Sequence, residues 1–361
     1  MPDARRPDRS FLPAALAPMV FAVSLPAIAQ TAASPPALAV CAALADDRAR
    51  LECYDRAAGR GAPAAAVPPA PLAPAPALDP VAKQVRDERR ALGSTLGERW
   101  ELDPDTKQGR FVLRPYKPMY VLPVRWSSSV NQEPVSSGIG NSVSQPLGLS
   151  EVEAAFQISM KAKIWETIGG TNLDLWLGYT QNSHWQVYSA SKPFRETNYE
   201  PEVFGIWGID QPLYAGWNAR FLGLGLTHQS NGRAEPLSRS WNRIIAQAGF
   251  ENGPWSVIVR PWWRLPESPD VDDNPGIENY LGRGELVVTR RLGAQQVTVQ
   301  LRHSLRGGDQ ARGSVLIDWA YPLSSYLKGH LQVFSGYGET MIDFNHRQTT
   351  VGVGFSLVEW Q

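Results

Sequence analysis

The sequence predicts an all-β fold, a twelve-stranded antiparallel transmembrane β-barrel behind a short N-terminal extension. Three observations carry that prediction. From about residue 110 to the end, apolar and polar residues alternate with a period of two, where a helix would repeat every 3.6. The chain begins as an exported protein begins. Aromatic residues gather at the ends of the alternating segments (Trp255, Trp262, Trp263, Tyr321 and Tyr337), as an interfacial belt requires.

Composition agrees with this frame. The 361 residues carry 35 basic and 35 acidic side chains. A net charge of zero offers no field to hold a polyanion, which argues against nucleic acid as a partner. No stretch offers the ~20 uninterrupted apolar residues of a spanning helix, which excludes a polytopic helical membrane protein. A barrel survives this test, because alternating strands average to a near-neutral hydropathy. The mean hydropathy is −0.27.

Arg5, Arg6 and Arg9 precede an apolar run from Phe11 to Ala29 that ends in Ala27-Ile28-Ala29. A basic start, an apolar run and a small-residue cleavage site describe a secretory signal peptide over residues 1–29. Pro13, Pro18 and Pro26 disfavour a continuous spanning helix instead. Residues 30–60 form a short helical module rich in Ala, Leu and Arg, with the chain's two cysteines, Cys41 and Cys53. One continuous helix would hold them about 18 Å apart, too far to bridge. A break near Asp46-Asp47 would let them pair. Zinc is not supported, because no further Cys or His lies nearby. Residues 61–80 are a Pro/Ala-rich extended linker. Residues 81–108 are a charged lead-in, and the barrel is expected over 109–361.

Twelve alternating segments lie near 111–124, 153–165, 171–187, 200–210, 219–230, 240–252, 255–265, 278–292, 294–305, 313–322, 327–338 and 349–358. Most reach the ~9–11 residues that a tilted membrane strand needs. In VLIDWAY, Val315, Ile317, Trp319 and Tyr321 oppose Leu316, Asp318 and Ala320. The polar faces carry Lys161, Lys163, Arg260, Arg283, Glu285, Arg302 and Asp318. A soluble sandwich also alternates. The export signal, the strand lengths and the placed aromatics decide for a barrel, although Trp360 is penultimate where barrels of this kind more often end on the aromatic.

The most informative stretch is 219–250. Leu222, Leu224 and Leu226 point outward, and His228 and Ser230 continue their parity. Residues two apart on a strand lie roughly 7 Å apart and point the same way. A hairpin through residues 231–239 would bring Asn242 beside His228. Ser230 is a weak nucleophile alone, His228 can take its proton, and Asn242 can fix the imidazole tautomer. Such a set just beyond the apolar band would meet ester bonds at head-group depth. The pattern His-x-Ser is common by chance, and no GxSxG elbow is present.

HQSNGR (228–233) followed by SRSWNR (238–243) resembles the bacterial outer-membrane phospholipase A family, also called detergent-resistant phospholipase A. So do PFRETNYEP (193–201), AGW (215–217), ENG (251–253), DDNP (272–275), SGYGE (335–339) and QTTVGVG (348–354). The similarity runs from Phe111 to the C-terminus and leaves residues 30 to about 105 uncovered. It implies a twelve-stranded barrel in the outer membrane with its active site on the outer surface. It implies calcium-dependent hydrolysis of phospholipid acyl esters at the A1 and A2 positions, to lysophospholipid and fatty acid. It implies activation when monomers pair into homodimers. Residue by residue, the base falls on His228, the nucleophile on Ser230 and the orienting amide on Asn242. Calcium ligands fall on Arg233, through its backbone carbonyl, and on Ser238. A further ligand from the second subunit falls on Ser191, and an alternative monomer site on Asp273. The family's dimer-stabilising Gln falls on Gln181, which continues the outward stripe Leu173, Leu175, Leu177, Tyr179. Gln229 and Glu235 depart from the family's pattern. The competing expectation is a catalytically silent barrel or a porin-like channel, with an open lumen and indifference to His228.

Overall fold

The computed structural model describes residues 35–58, 96–191, 193–324 and 327–358. The expected signal peptide, the Pro/Ala linker and Trp360 lie outside the described residues. The chain divides into two compact units, 1–77 and 78–361.

In the first unit, α1 (Pro35–Ala42) and α2 (Asp47–Ala57) are separate helices. Asp46 caps α2, its carboxylate accepting from the Ala49 amide at 2.8 Å. The chain therefore breaks where the acidic pair stands. Cys41 and Cys53 come to 5.4 Å between Cα atoms and form a disulfide.

In the second unit, twelve long strands form one antiparallel ring. They are β2 (Met119–Ser127), β3 (Val152–Trp165), β4 (Leu173–Trp185), β5 (Phe194–Pro212), β6 (Asn218–Ser230), β7 (Ser240–Asn252) and β8 (Trp255–Arg264). The ring continues with β9 (Gly284–Leu292), β10 (Gln295–His303), β11 (Gly313–Pro322), β12 (Lys328–Tyr337) and β13 (Arg347–Val358). Each pairs with its successor, and β13 returns to β2, so the ring of twelve closes on itself. The first predicted segment is split. Leu113–Pro115 forms a short β1 on β3, and the chain leaves the ladder at Tyr116–Pro118 before β2. Pro118 has no N–H to give, and the Lys117 amide turns to the Ser159 hydroxyl at 3.0 Å. The segment predicted over 278–292 opens instead with a helical turn, α4 (Glu278–Leu281), ended by Gly282 at φ +101°.

Connections 166–172, 213–217, 253–254, 293–294 and 323–327 lie at one end of the barrel. The other end carries 128–151, 186–193, 231–239, 265–283, 304–312 and 338–346, most of them longer. Short turns at one end and longer loops at the other are the outer-membrane pattern. The outer face is apolar and exposed, with Leu177, Leu222, Leu224, Leu226, Ile317 and Val353 on it.

The folded unit starts earlier than expected. α3 (Leu96–Trp100) and Leu102 are buried with Tyr116, Trp176, Phe204 and Phe221. The Lys161 ammonium sits 3.2 Å from the centre of a Trp100 ring. Gly109 is therefore not the boundary, because the apolar surface of Leu96 and Trp100 is buried among lumen side chains. Trp262 is also corrected. It shares its face with the lumen, packs edge-on against Trp241 and donates to the Gly282 carbonyl, while Trp255 and Trp263 stay outside.

Charged groups fill the lumen in pairs. Lys163 meets Glu101 and Asp174 at 2.9 Å each, and Arg260 meets Glu202 and Glu285 at 2.9 Å each. A polar cavity of about 140 Å³ remains, lined by Lys117, Glu200, Arg243 and Asp318 among others. A second apolar cluster, Trp241, Ile245, Trp262, Ile277, Leu281, Met341 and Phe344, draws on the longer loops. Among the described residues, a lumen filled in this way leaves little room for ion flow. Reconstituted in planar bilayers, the protein is expected to give no porin-like current steps, and steady conductance steps would contradict this packing.

Candidate active site

β6 and β7 deliver the site by register. His228 stands directly opposite Asn242, and Ser230 opposite Ser240. The apolar positions before them, Leu222, Leu224 and Leu226, are 49%, 61% and 52% exposed on the outer face. Parity then puts His228, Ser230 and Asn242 on that face. His228 Nδ1 lies 2.9 Å from Asn242 Oδ1. An imidazole held this way keeps its proton on Nδ1 and leaves Nε2 as a base. The amide of Asn242 has a second partner. Its Nδ2 donates to Glu267 Oε1 at 3.1 Å.

The strand behind the site is braced from the lumen. Gln229, between His228 and Ser230, accepts from Trp241 Nε1 at 2.8 Å and from Arg243 at 3.2 Å. Arg243 also meets Glu200 at 2.7 Å. This network ties β6 to β7 on the face opposite His228 and Asn242.

The loop after Ser230 is organised by Asn231. Its side-chain Oδ1 accepts from the Arg233 and Arg239 amides at 3.2 and 3.0 Å, and its Nδ2 donates to the Leu237 carbonyl. Gly232 takes φ +59°, which glycine adopts without penalty. Arg239 is buried and holds the Pro236, Ser238 and Asn141 carbonyls.

Of the expected metal ligands, the structure brings two together. Ser238 Oγ donates to Asp273 Oδ2 at 2.6 Å. Asn141 donates to the other Asp273 oxygen at 3.0 Å, and Asn274 Oδ1 accepts from the Ser240 amide at 2.8 Å. Gly138 packs so closely on the Asp272 and Asp273 carbonyls that a side chain there would clash with backbone. Arg233 is exposed in the same loop as Ser238. Ser191 is exposed on connection 186–193 and makes no hydrogen bond with the other three among the described residues. No group of three or more His, Cys, Asp and Glu that could hold a metal occurs among the described residues. The expected set needs none, since it is two serine hydroxyls and a backbone carbonyl, with one carboxylate at the alternative monomer site. Hard oxygen donors on loops suit Ca²⁺.

The neighbouring loop is pinned at Asp343, which accepts from Arg195 at 2.9 Å and from Asn131 at 3.1 Å. Burial opposes its charge, yet the Arg195 guanidinium and these hydrogen bonds hold the carboxyl below its ordinary range.

Gln181 is half-buried on β4. Its Oε1 accepts from Tyr179 at 3.0 Å and its Nε2 donates to Ser183 at 3.3 Å. The amide is thus bonded within one chain, where the sequence suggests an amide in need of a partner. Glu267, Asn231 and Asn274 are absent from the sequence-based site. Asn231 and Asn274 lie inside its motifs, but nothing in the spacing of Glu267 marks it.

A family model described as phospholipase A1 matches residues 96–357. A putative phospholipase A1 of Neisseria meningitidis serogroup B is 36% identical over 342 residues, 87% of this chain and 89% of that one. The solved outer membrane phospholipase A from Escherichia coli matches with a TM-score of 0.62 at 36% identity, over 70% of this chain and 94% of that one. The Salmonella typhi outer membrane phospholipase, solved as a dimer with bound calcium, matches with a TM-score of 0.64 at 34% identity, over 74% and 99%.

Proposed function

The chain belongs to the phospholipase A1 family and is a phospholipase built as an outer-membrane β-barrel, and from that premise we propose how it works. Ser230 is the nucleophile, His228 the general base and Asn242 the group that orients His228. Ser230 Oγ attacks the acyl ester carbonyl as His228 Nε2 takes its proton. His228 then returns that proton to the departing lysophospholipid oxygen, leaving an acyl-enzyme. Water, deprotonated by His228, releases the fatty acid and restores Ser230. The observation that carries this reading is the 2.9 Å His228–Asn242 contact on a surface whose adjoining residues face lipid.

Calcium is proposed as the cofactor, held by the Arg233 carbonyl and Ser238 with Ser191 of the partner subunit, or in the monomer by Asp273. When bound, it would supply the positive charge beside the ester carbonyl that a neutral Asn242 does not. The active form is proposed to be a homodimer in equilibrium with monomer. The test is release of fatty acid from phospholipid labelled separately at each acyl position, with calcium and with chelator. Release from both positions only with calcium is expected. Release from neither position, or release indifferent to calcium, would overturn the reading.

Gln181 is proposed to stabilise the dimer. Its amide uses one of two donor hydrogens and one of two acceptor sites within the chain, so capacity remains for a partner's amide. Gln181→Ala is expected to shift sedimentation in detergent towards monomer, by about 1 kcal/mol of association energy. Unchanged sedimentation would remove Gln181 from that role.

A further inference from the structure

A neutral amide poses a problem that a carboxylate does not. The Asn242 side chain has an acceptor end and a donor end of nearly the same shape. With Oδ1 towards His228, Nδ1 must carry the proton and Nε2 is free to accept from Ser230. With Nδ2 towards His228, Nδ1 must be bare and Nε2 protonated. That tautomer cannot take the Ser230 proton. Something must choose between the two orientations.

Glu267 is placed to choose. The β7–β8 ladder runs one step past Arg264, because the Leu265 amide donates to the Asn242 carbonyl at 2.8 Å. Two residues further on, the Glu267 side chain reaches the far end of the Asn242 amide, 3.1 Å from Nδ2. It is only 17% exposed, and Arg264 lies 3.5 Å from its other oxygen. Arg264 is itself fixed on Asp272 at 2.6 Å. An ionised carboxylate can only accept, so it admits Nδ2 and refuses Oδ1.

We propose that Glu267 is a positioning residue that locks the polarity of the Asn242 amide and thereby selects the base tautomer of His228. The site becomes a relay of four groups, Ser230, His228, Asn242 and Glu267, in which the last touches no substrate. This rests on the catalytic roles proposed above. The carboxylate also places a negative charge one amide away from the imidazolium that forms during catalysis.

The test is a pair of backgrounds. In the native background Glu267→Ala is expected to lower kcat about tenfold with KM nearly unchanged, an orientation effect on the base. Glu267→Gln, which keeps the volume and half the acceptor capacity, should lose less and serves if Glu267→Ala does not fold. In the Asn242→Asp background the group facing His228 is already acceptor-only, so Glu267→Ala should cost nothing. A purely structural Glu267, one that only anchors Arg264 and its loop, would cost the same in both backgrounds. Equal losses, or no loss in the native background, would overturn the proposal. A second measurement does not depend on turnover. Ring ¹⁵N shifts of His228, identified as the signals lost in His228→Asn, should show a bare Nε2 in the native protein and a tautomer mixture in Glu267→Ala. An unchanged tautomer would overturn the lock. Ser230→Ala in the same assay separates this result from the catalytic reading, since activity surviving there defeats the triad and not the lock alone.

Discussion

Ser230→Ala should lose at least ~10³-fold in fatty-acid release while folding normally, because in the proposed mechanism it removes the group that forms the covalent intermediate. His228→Ala should lose a comparable factor, and the double substitution little more, since the two act as one unit. Neither side chain belongs to the buried lumen network, so a structural cost is not expected. His228 is exposed and Ser230 half-exposed. Folding is checked by the altered mobility of an unheated barrel in detergent gels. Undiminished hydrolysis by folded Ser230→Ala would remove it as nucleophile.

The second large effect is expected from calcium. Chelation should lower turnover by ~10²-fold or more, the usual loss when charge stabilisation at an oxyanion is withdrawn. Ser238→Ala should raise the calcium concentration for half-maximal activity by about tenfold at similar maximal rate, as loss of one ligand or its support does. The substitution also frees Asp273 from its 2.6 Å hydrogen bond, so calcium affinity at the proposed monomer site should not fall in parallel. Titration of activity with calcium in native and Ser238→Ala protein measures both. Full activity in chelator would contradict a calcium role.

Much of this fold was legible because a barrel writes its geometry as a period of two. Leu222, Leu224 and Leu226 face outward and Lys161, Lys163 and Asp318 inward, as alternation requires. The same rule carries His228 and Ser230 onto the outer face, and hairpin length sets Asn242 opposite His228. What escaped is what periodicity does not encode. Leu96 and Trp100 belong to no strand, and their burial among lumen side chains depends on the cavity the closed ring creates. Trp262 shares the parity of Arg260 and Trp263 that of Trp255, so it is alternation, and not the count of aromatics at strand ends, that separates the two. Glu267 lies in a Pro-rich loop and reaches Asn242 only because the ladder continues past the strand's end. Alternation sets Gln181 on the outward stripe, but its bonds to Tyr179 and Ser183 depend on rotamers that no spacing reveals.

The central claim is that a serine on the lipid-facing wall is made nucleophilic by its histidine. A long-chain alkyl fluorophosphonate tests it most directly, because it forms a stable adduct only with an activated hydroxyl. Peptide mass mapping after exposure in mixed micelles with calcium should find the adduct on Ser230, in step with loss of activity, and should find none in His228→Ala. Inactivation with the adduct on another residue, or equal labelling of Ser230 without His228, would contradict it.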